Sequence, residues 1–170
     1  MKTRRTLAKS PKASRPHMPG YGLPKGTKGL LPWKWALGRL NKSHNFWIIT
    51  VKPDRSPHAM VIWALWLDGE LLFSTGRQSR KSKNLAKNAR CIIATEHADQ
   101  AVIVEGFARE VLSVPLRKKF LALYRKKYDF DMSAFEKDIL NLKEPIYAVK
   151  PVVVFGLDEA KFMSATRWRL

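Results

Sequence analysis

The chain has 170 residues, 45% of them hydrophobic, which suits one domain with a real core and excludes wholesale disorder. It carries 32 Lys and Arg against 14 Asp and Glu, a formal charge of +18, and such a field draws polyanions (phosphate cofactors, nucleic acid or anionic lipid) from a distance. No apolar run is long enough to span a bilayer, the basic start lacks a secretory apolar core, and the single cysteine, Cys91, excludes an internal disulfide and a cysteine-rich metal centre; a protein of the reducing cytoplasm is expected.

The charge is concentrated at one end. The first acid is Asp54, and residues 1–53 hold twelve of the Lys and Arg. Residues 1–30 also hold Pro11, Pro16, Pro19 and Pro24 with Gly20, Gly22, Gly26 and Gly29, a density that works against regular structure. We read 1–30 as a basic arm, without structure to about Arg15 and then extended along the body, and 31–170 as the folded domain.

A helix is predicted over residues 31–40, with Pro32 in its first turn and Trp33, Leu37 and Leu40 on one face. Strands follow at 45–52 and 57–67, separated by the turn Pro53-Asp54-Arg55-Ser56, and a third strand at 70–75 follows the hairpin turn Asp68-Gly69. A short helix spans 79–88, capped by Ser79. Strands at 91–96 and 101–112, a helical stretch at 115–142 and strands at 146–157 and 161–170 complete the chain. About seven strands linked by hairpins predict a mainly β protein with an antiparallel sheet. The second strand, with Trp63 and Trp66, is apolar on both faces, as in a closed or nearly closed barrel that also meets a partner subunit.

The segment Ser74-Thr75-Gly76-Arg77-Gln78-Ser79-Arg80-Lys81 carries the chemistry. A strand ends in two hydroxyl residues, a short loop follows, and a helix opens at a serine with two adjacent cations. Helix N-terminal N–H groups point at an anion, hydroxyls donate to it, the Arg80 fork can grip two oxygens, and Lys81 adds a point charge. Six cations and no acid lie between Arg77 and Arg90. A solvated basic helix face is the alternative reading of the same composition.

Several blocks in order resemble the pyridoxamine 5′-phosphate oxidase-like flavoproteins, the FMN-binding split barrels. "NFWIITVKPDRSPHAMVIWALWLDGELLFST" is similar to the family's first three strands, "SRKSKNLAKNAR" to its phosphate-binding Ser-Arg-Lys and following helix, and "VIVEGFAREV" to its strand with a central Gly-x-Ala. The resemblance implies a split β-barrel with a few short helices, a homodimer with the cofactor at the interface, and hydride or electron transfer to a small organic substrate. It implies a cofactor phosphate on Arg80 and Lys81, helped by Ser74, Thr75 and Ser79. The ring system would lie against the second strand at Ala59, Met60, Val61 and Ile62, with Trp63 nearby. The family's C-terminal Arg-x-His has no counterpart in Thr166-Arg167-Trp168-Arg169-Leu170, which tells against vitamin B6 oxidation. A terminal phosphate favours FMN, while the high positive charge would also suit the longer polyanion of the deazaflavin coenzyme F-420.

No side chain stands out as a catalytic acid or base, since the cofactor of such a protein supplies the hydride chemistry. His17, His44, His58 and His97 lack metal-ligand spacing. Cys91 and the tryptophans read as core or interface residues, and the clusters Arg117-Lys118-Lys119 and Arg125-Lys126-Lys127 as the solvated side of an amphipathic helix. The rival class is a nucleic-acid binder, because basic stretches interleave with aromatics, but no recognition motif is present. The basic arm would then give salt-sensitive, non-specific polyanion contact. A protein that binds cofactor without turnover is a third class.

Overall fold

The computed structural model describes residues 10–170. Residues 1–9, most of the segment expected to be without structure, lie outside that range. The described elements are, in chain order, β1 (Lys12–Ser14), α1 (Trp33–Lys42), β2 (Phe46–Val51), β3 (Pro57–Ile62), β4 (Leu65–Leu67), β5 (Glu70–Ser74), α2 (Arg80–Lys87), β6 (Arg90–Thr95), β7 (Gln100–Glu110), α3 (Val114–Tyr128), α4 (Ser133–Leu140), β8 (Ile146–Asp158), a 3-10 segment (Glu159–Ser164) and β9 (Thr166–Arg169).

The sheet is antiparallel in the order β1-β9-β8-β7-β6-β2-β3, and β5 pairs with both β4 and β8. Strand β3 is followed by β4 after a two-residue break at Trp63 and Ala64. The sheet therefore curls toward a ring whose ladder is interrupted at Trp63 and Ala64, and this is a split barrel. The alternation in β2 sets the inside: Phe46, Ile48 and Thr50 are buried and stand opposite Ile62, Met60 and His58. Phe46, Ile48 and Ile62 meet Phe73, Ile93, Val104, Val154 and Trp168 in one core cluster. Helix α3 builds a second cluster outside the barrel, where Phe120, Leu121, Tyr124 and Tyr128 pack on Leu72, Ile146 and Ala148.

Two glycines have a steric reason. The β7–β8 register shifts at Glu105/Gly106, where a Cβ on Gly106 would stand 2.3 Å from the Lys150 carbonyl oxygen. A Cβ on Gly156 would stand 2.7 Å from the buried Trp168 ring.

Five expectations change. Residues 12–14, expected to lack structure, form β1 against β9, with Ala13 opposite Trp168 and packed on the core; Arg15 then donates to the carbonyls of Gly26, Lys28 and Met163, tying the arm down. The single strand expected at 57–67 is two. The Tyr128 hydroxyl donates to the Ala64 carbonyl and accepts from its N–H, each at 2.8 Å, taking both groups out of the ladder. The helical stretch at 115–142 is broken by Asp129 in the left-handed region, φ 47, and restarts after Asp131 accepts from Ser133. The last predicted strand opens as 3-10 turns, so only residues 166–169 are extended. Strand β3 is the end strand of its sheet, and Met60 and Val61 are 47% and 46% exposed; within one chain the second strand is not buried on both faces.

Candidate functional site

β5 stops pairing with β8 at Ser74, opposite Ile146. The Thr75 N–H still reaches the Pro145 carbonyl at 3.4 Å, and the Ser74 hydroxyl donates to the same oxygen at 3.5 Å. A tight turn closes with the Ser79 N–H on the Gly76 carbonyl, and α2 begins. Ser79 is the cap: its Oγ accepts from the Ser82 N–H at 3.2 Å and lies 3.1 Å from Thr75 Oγ1. The amides of Arg80 and Lys81 have no intrahelical acceptor, as at any helix start, and the first turn carries no acid. Of the predicted set, Thr75 and Ser79 thus touch at the helix start, Ser74 ends β5 just before them, and Arg80 and Lys81 are the first two residues of α2.

The cations there are unpaired. Arg80 is exposed, and neither it nor Lys81 joins an ion pair among the described residues. Burial alone pulls the Lys81 amine below its ordinary value, with no carboxylate offsetting it. Arg77, in the same basic run, is different. Its guanidinium donates to both oxygens of Glu110, at 2.8 and 3.2 Å, and to the carbonyls of Leu142 and Lys143. Those bonds to Glu110 raise Arg77 and depress Glu110.

The inner face of α2 is clamped to the barrel. Asn84, fully buried, donates to Thr50 Oγ1 at 2.9 Å, Thr50 in turn reaches the His58 carbonyl at 3.4 Å, and the Ser82 and Tyr147 hydroxyls lie 3.0 Å apart. Two polar atoms buried here have no partner among the described residues, Asn84 Oδ1 and His58 Nδ1. The sequence offered no sign of the Thr50–Asn84 link, since a Thr in a strand and an Asn in a helix carry no spacing signal.

Ala59, Met60, Val61 and Ile62 lie on β3. Its edge away from β2 has no neighbouring strand among the described residues, so that row of backbone donors and acceptors is available to a guest. Ile62 is 6% exposed and belongs to the core, so its side chain is spent there. Beyond β3, Trp63 shares with Ser74 and Thr75 a cleft of about 630 Å³ under α4; Arg80, Lys81 and the four β3 residues are not in its lining. A second hollow, about 420 Å³, sits on the outer sheet face around Gly106 and Phe107.

Among the described residues no three His, Cys, Asp or Glu side chains cluster as a metal site would require, and no helix is long and apolar enough to cross a membrane. Cys91 is buried, and burial pushes its thiol up to about 12, so it is a core residue rather than a nucleophile.

Residues 36–150 match the family described as Pyridoxamine 5′-phosphate oxidase. Among solved structures, the chain is similar to a conserved hypothetical protein from Mycobacterium tuberculosis, with a TM-score of 0.68 and 21% identity over 81% of this chain and 92% of that one. It is similar to an F420 reductase, with a TM-score of 0.56 and 20% identity over 69% of this chain and 93% of that one. The heme storage protein of Vibrio cholerae aligns with a TM-score of 0.54 and 12% identity over 70% and 86%. At these identities the likeness is one of fold. No curated protein sequence matches the chain.

Proposed function

The chain belongs to the pyridoxamine 5′-phosphate oxidase family, and from that premise we propose that it is an oxidoreductase that binds FMN and passes hydride between it and a small organic substrate. In this reading residues 1–30 are a basic N-terminal segment whose strand Lys12–Ser14 joins the sheet, and residues 31–170 are the cofactor-binding domain of a cytoplasmic protein. The observation that carries it is the corner at α2: a partly buried lysine with no anion beside it, next to an unpaired arginine, two hydroxyls and the open amides of a capped helix. A desolvated, uncompensated cation is costly, and a phosphate removes that cost.

Each group has a task. Arg80 and Lys81 neutralise the phosphate, Thr75 and Ser79 donate to its oxygens, and Ser74 closes the strand end beneath it. The free edge of β3 at Ala59, Met60, Val61 and Ile62 offers backbone N–H and C=O groups to the polar rim of a flat ring. When bound, the flavin supplies the two-electron chemistry. The unpartnered Asn84 Oδ1 and His58 Nδ1 fit a further polar guest or an ordered water at the foot of the same strand. Met60, Val61 and Trp47, all more than 45% exposed, support a homodimer that covers the ring and excludes water.

The visible spectrum of the purified protein, followed by titration with FMN, tests the reading. The double variant Arg80→Ala/Lys81→Ala is expected to lose at least tenfold in FMN affinity, about 1.4 kcal/mol. A colourless protein that binds neither FMN nor F-420, or a double variant with unchanged affinity, removes it. The deazaflavin is the second reading, favoured by the fold shared with an F420 reductase, and the same titration ranks the two. Loss of nucleic-acid affinity on removing residues 1–9, with FMN affinity kept, makes the arm an accessory. An FMN-bound protein that exchanges no electrons with any acceptor would be a carrier.

A further inference from the structure

Beyond the phosphate corner, β5 borders a cleft of quite different character. Its volume of about 630 Å³ is within the range of small-molecule sites. Trp63 forms one wall, at the point where β3 breaks from the ladder. The ring is held flat against Tyr128, 4.6 Å away at 4°, tilted to Tyr124 and edge-on to Phe130. The Trp63 indole N–H is satisfied by Asn45 Oδ1 at 3.0 Å, so the wall is fixed before any guest arrives. Phe130 and Phe135, 40% and 51% exposed, stand at the mouth.

The charged groups lining this cleft are Asp138 and Glu144. In a chain with 14 acids and a net +18, a lining whose charges are all negative is a local reversal. Glu144 accepts the Arg77 N–H at 2.5 Å, fixing its carboxylate on the loop after β5. Asp138 meets Lys143 only at 3.4 Å between side chains 48% and 69% exposed, a pair too wet to neutralise it. The nearby Arg77 guanidinium is engaged by Glu110 and two carbonyls.

We propose that this cleft binds a planar aromatic molecule bearing a cationic nitrogen. The ring stacks among Trp63, Tyr124 and Phe135, where offset and edge-on contacts add to the burial of area. The cation lies toward Asp138 and Glu144 and gains from the aromatic faces as well. An anionic guest of the same shape meets two carboxylates and is rejected. Ser74 and Thr75 border both the cleft and the phosphate corner, so the guest sits beside the cofactor. Its identification as the organic substrate rests on the function proposed above; its binding does not.

Calorimetry on the full-length, cofactor-free protein at pH 7 tests this with three probes that share one ring system: 1-naphthylmethylamine, 1-naphthylmethanol and 1-naphthoate. The amine is expected to bind at least tenfold more tightly than the carboxylate, with the alcohol between. Asp138→Asn should shrink the amine-to-carboxylate ratio at least threefold, Asp68→Asn, outside the cleft, should leave it unchanged, and Phe135→Ala should weaken all three probes alike. Failure of every probe to bind at millimolar concentration overturns the proposal. So does carboxylate binding equal to the amine's, or a ratio indifferent to Asp138→Asn. FMN is titrated into the same preparation. Amine binding without FMN binding keeps the cleft and removes the cofactor reading, and FMN binding without amine binding does the reverse.

Discussion

Arg77 and Arg80 lie three positions apart in one basic run, yet the fold treats them oppositely. Arg77 is enclosed by acceptors, and across Glu110 it faces Arg117, a fully buried guanidinium that donates to the carbonyls of Val111, Ile139 and Glu144 and to Glu110 at 3.1 Å. This Arg–Glu–Arg group ties the end of β7 to α3, α4 and the start of β8. Arg80 and Lys81, at the mouth of α2, have no such partners among the described residues. Burial lowers both Arg117 and Lys81, but Glu110 works against it at Arg117 and nothing does so at Lys81. Cations that hold a fold together are satisfied within it; those left unsatisfied beside a capped helix are available to something that arrives later.

The contrast breaks most visibly at Arg117. Arg117→Met removes a buried charge from four acceptors and is expected to cost about 3–5 kcal/mol, read as the shift in urea midpoint. A loss below about 1 kcal/mol would mean that the network contributes little and that the two basic regions are energetically alike. The Arg80→Ala/Lys81→Ala pair should behave in the opposite way, with weaker FMN binding and stability within about 0.5 kcal/mol of the parent. Destabilisation of the apo protein comparable to Arg117→Met would place these residues among the structural cations. Ser79→Ala lies between the two. It removes the Oγ that accepts the Ser82 N–H and faces Thr75, and should cost about 1 kcal/mol of stability together with a measurable loss of FMN affinity. Loss of the first without the second would leave the cap a purely structural device.

The two regions also differed in how far the sequence disclosed them. Ser79 as a cap followed by two cations is a local pattern, so the corner of the candidate site was legible, as was the Asp68-Gly69 turn, whose φ values of 52 and 89 suit a tight hairpin. The hairpin-linked strands and the doubly apolar second strand pointed to an antiparallel barrel, and the family-like blocks to a split one. The Arg117 network was read as a solvated helix face, because the acceptors it needs, at Ile139 and Glu144, come from elements far along the chain. The division of β3 from β4 was hidden for the same reason: 60–67 is a continuous apolar run, and it is Tyr128, 64 residues away, that withdraws Ala64 from the ladder. Strand β1 escaped notice because two prolines bracket it, while its register is dictated by Ala13 seating against Trp168.

Acid and alkali give the smallest effects but separate the regions by sign. Glu110 sits below its ordinary 4.5, held there first by the bond from Arg77. A carboxylate depressed on folding stabilises fully above its unfolded value, and the contribution disappears as pH falls through the folded one. The stability lost in Glu110→Gln should therefore be constant above about pH 6 and fade below 4.5. Lys81 behaves in the other sense. Its folded value lies below 10.5, so the folded state holds the charge less willingly than the unfolded chain. Stability must rise as pH climbs from that depressed value to 10.5, where the unfolded lysine also loses its proton. Lys81→Met should thus be slightly more stable than the parent at neutral pH, with the advantage vanishing toward pH 10.5. Adding FMN should abolish the difference, because a phosphate beside Lys81 restores the preference for the charged amine. Thermal melts of parent and variant across pH 7–11, with and without FMN, measure it; an advantage that persists unchanged when FMN is bound would place the phosphate away from Lys81.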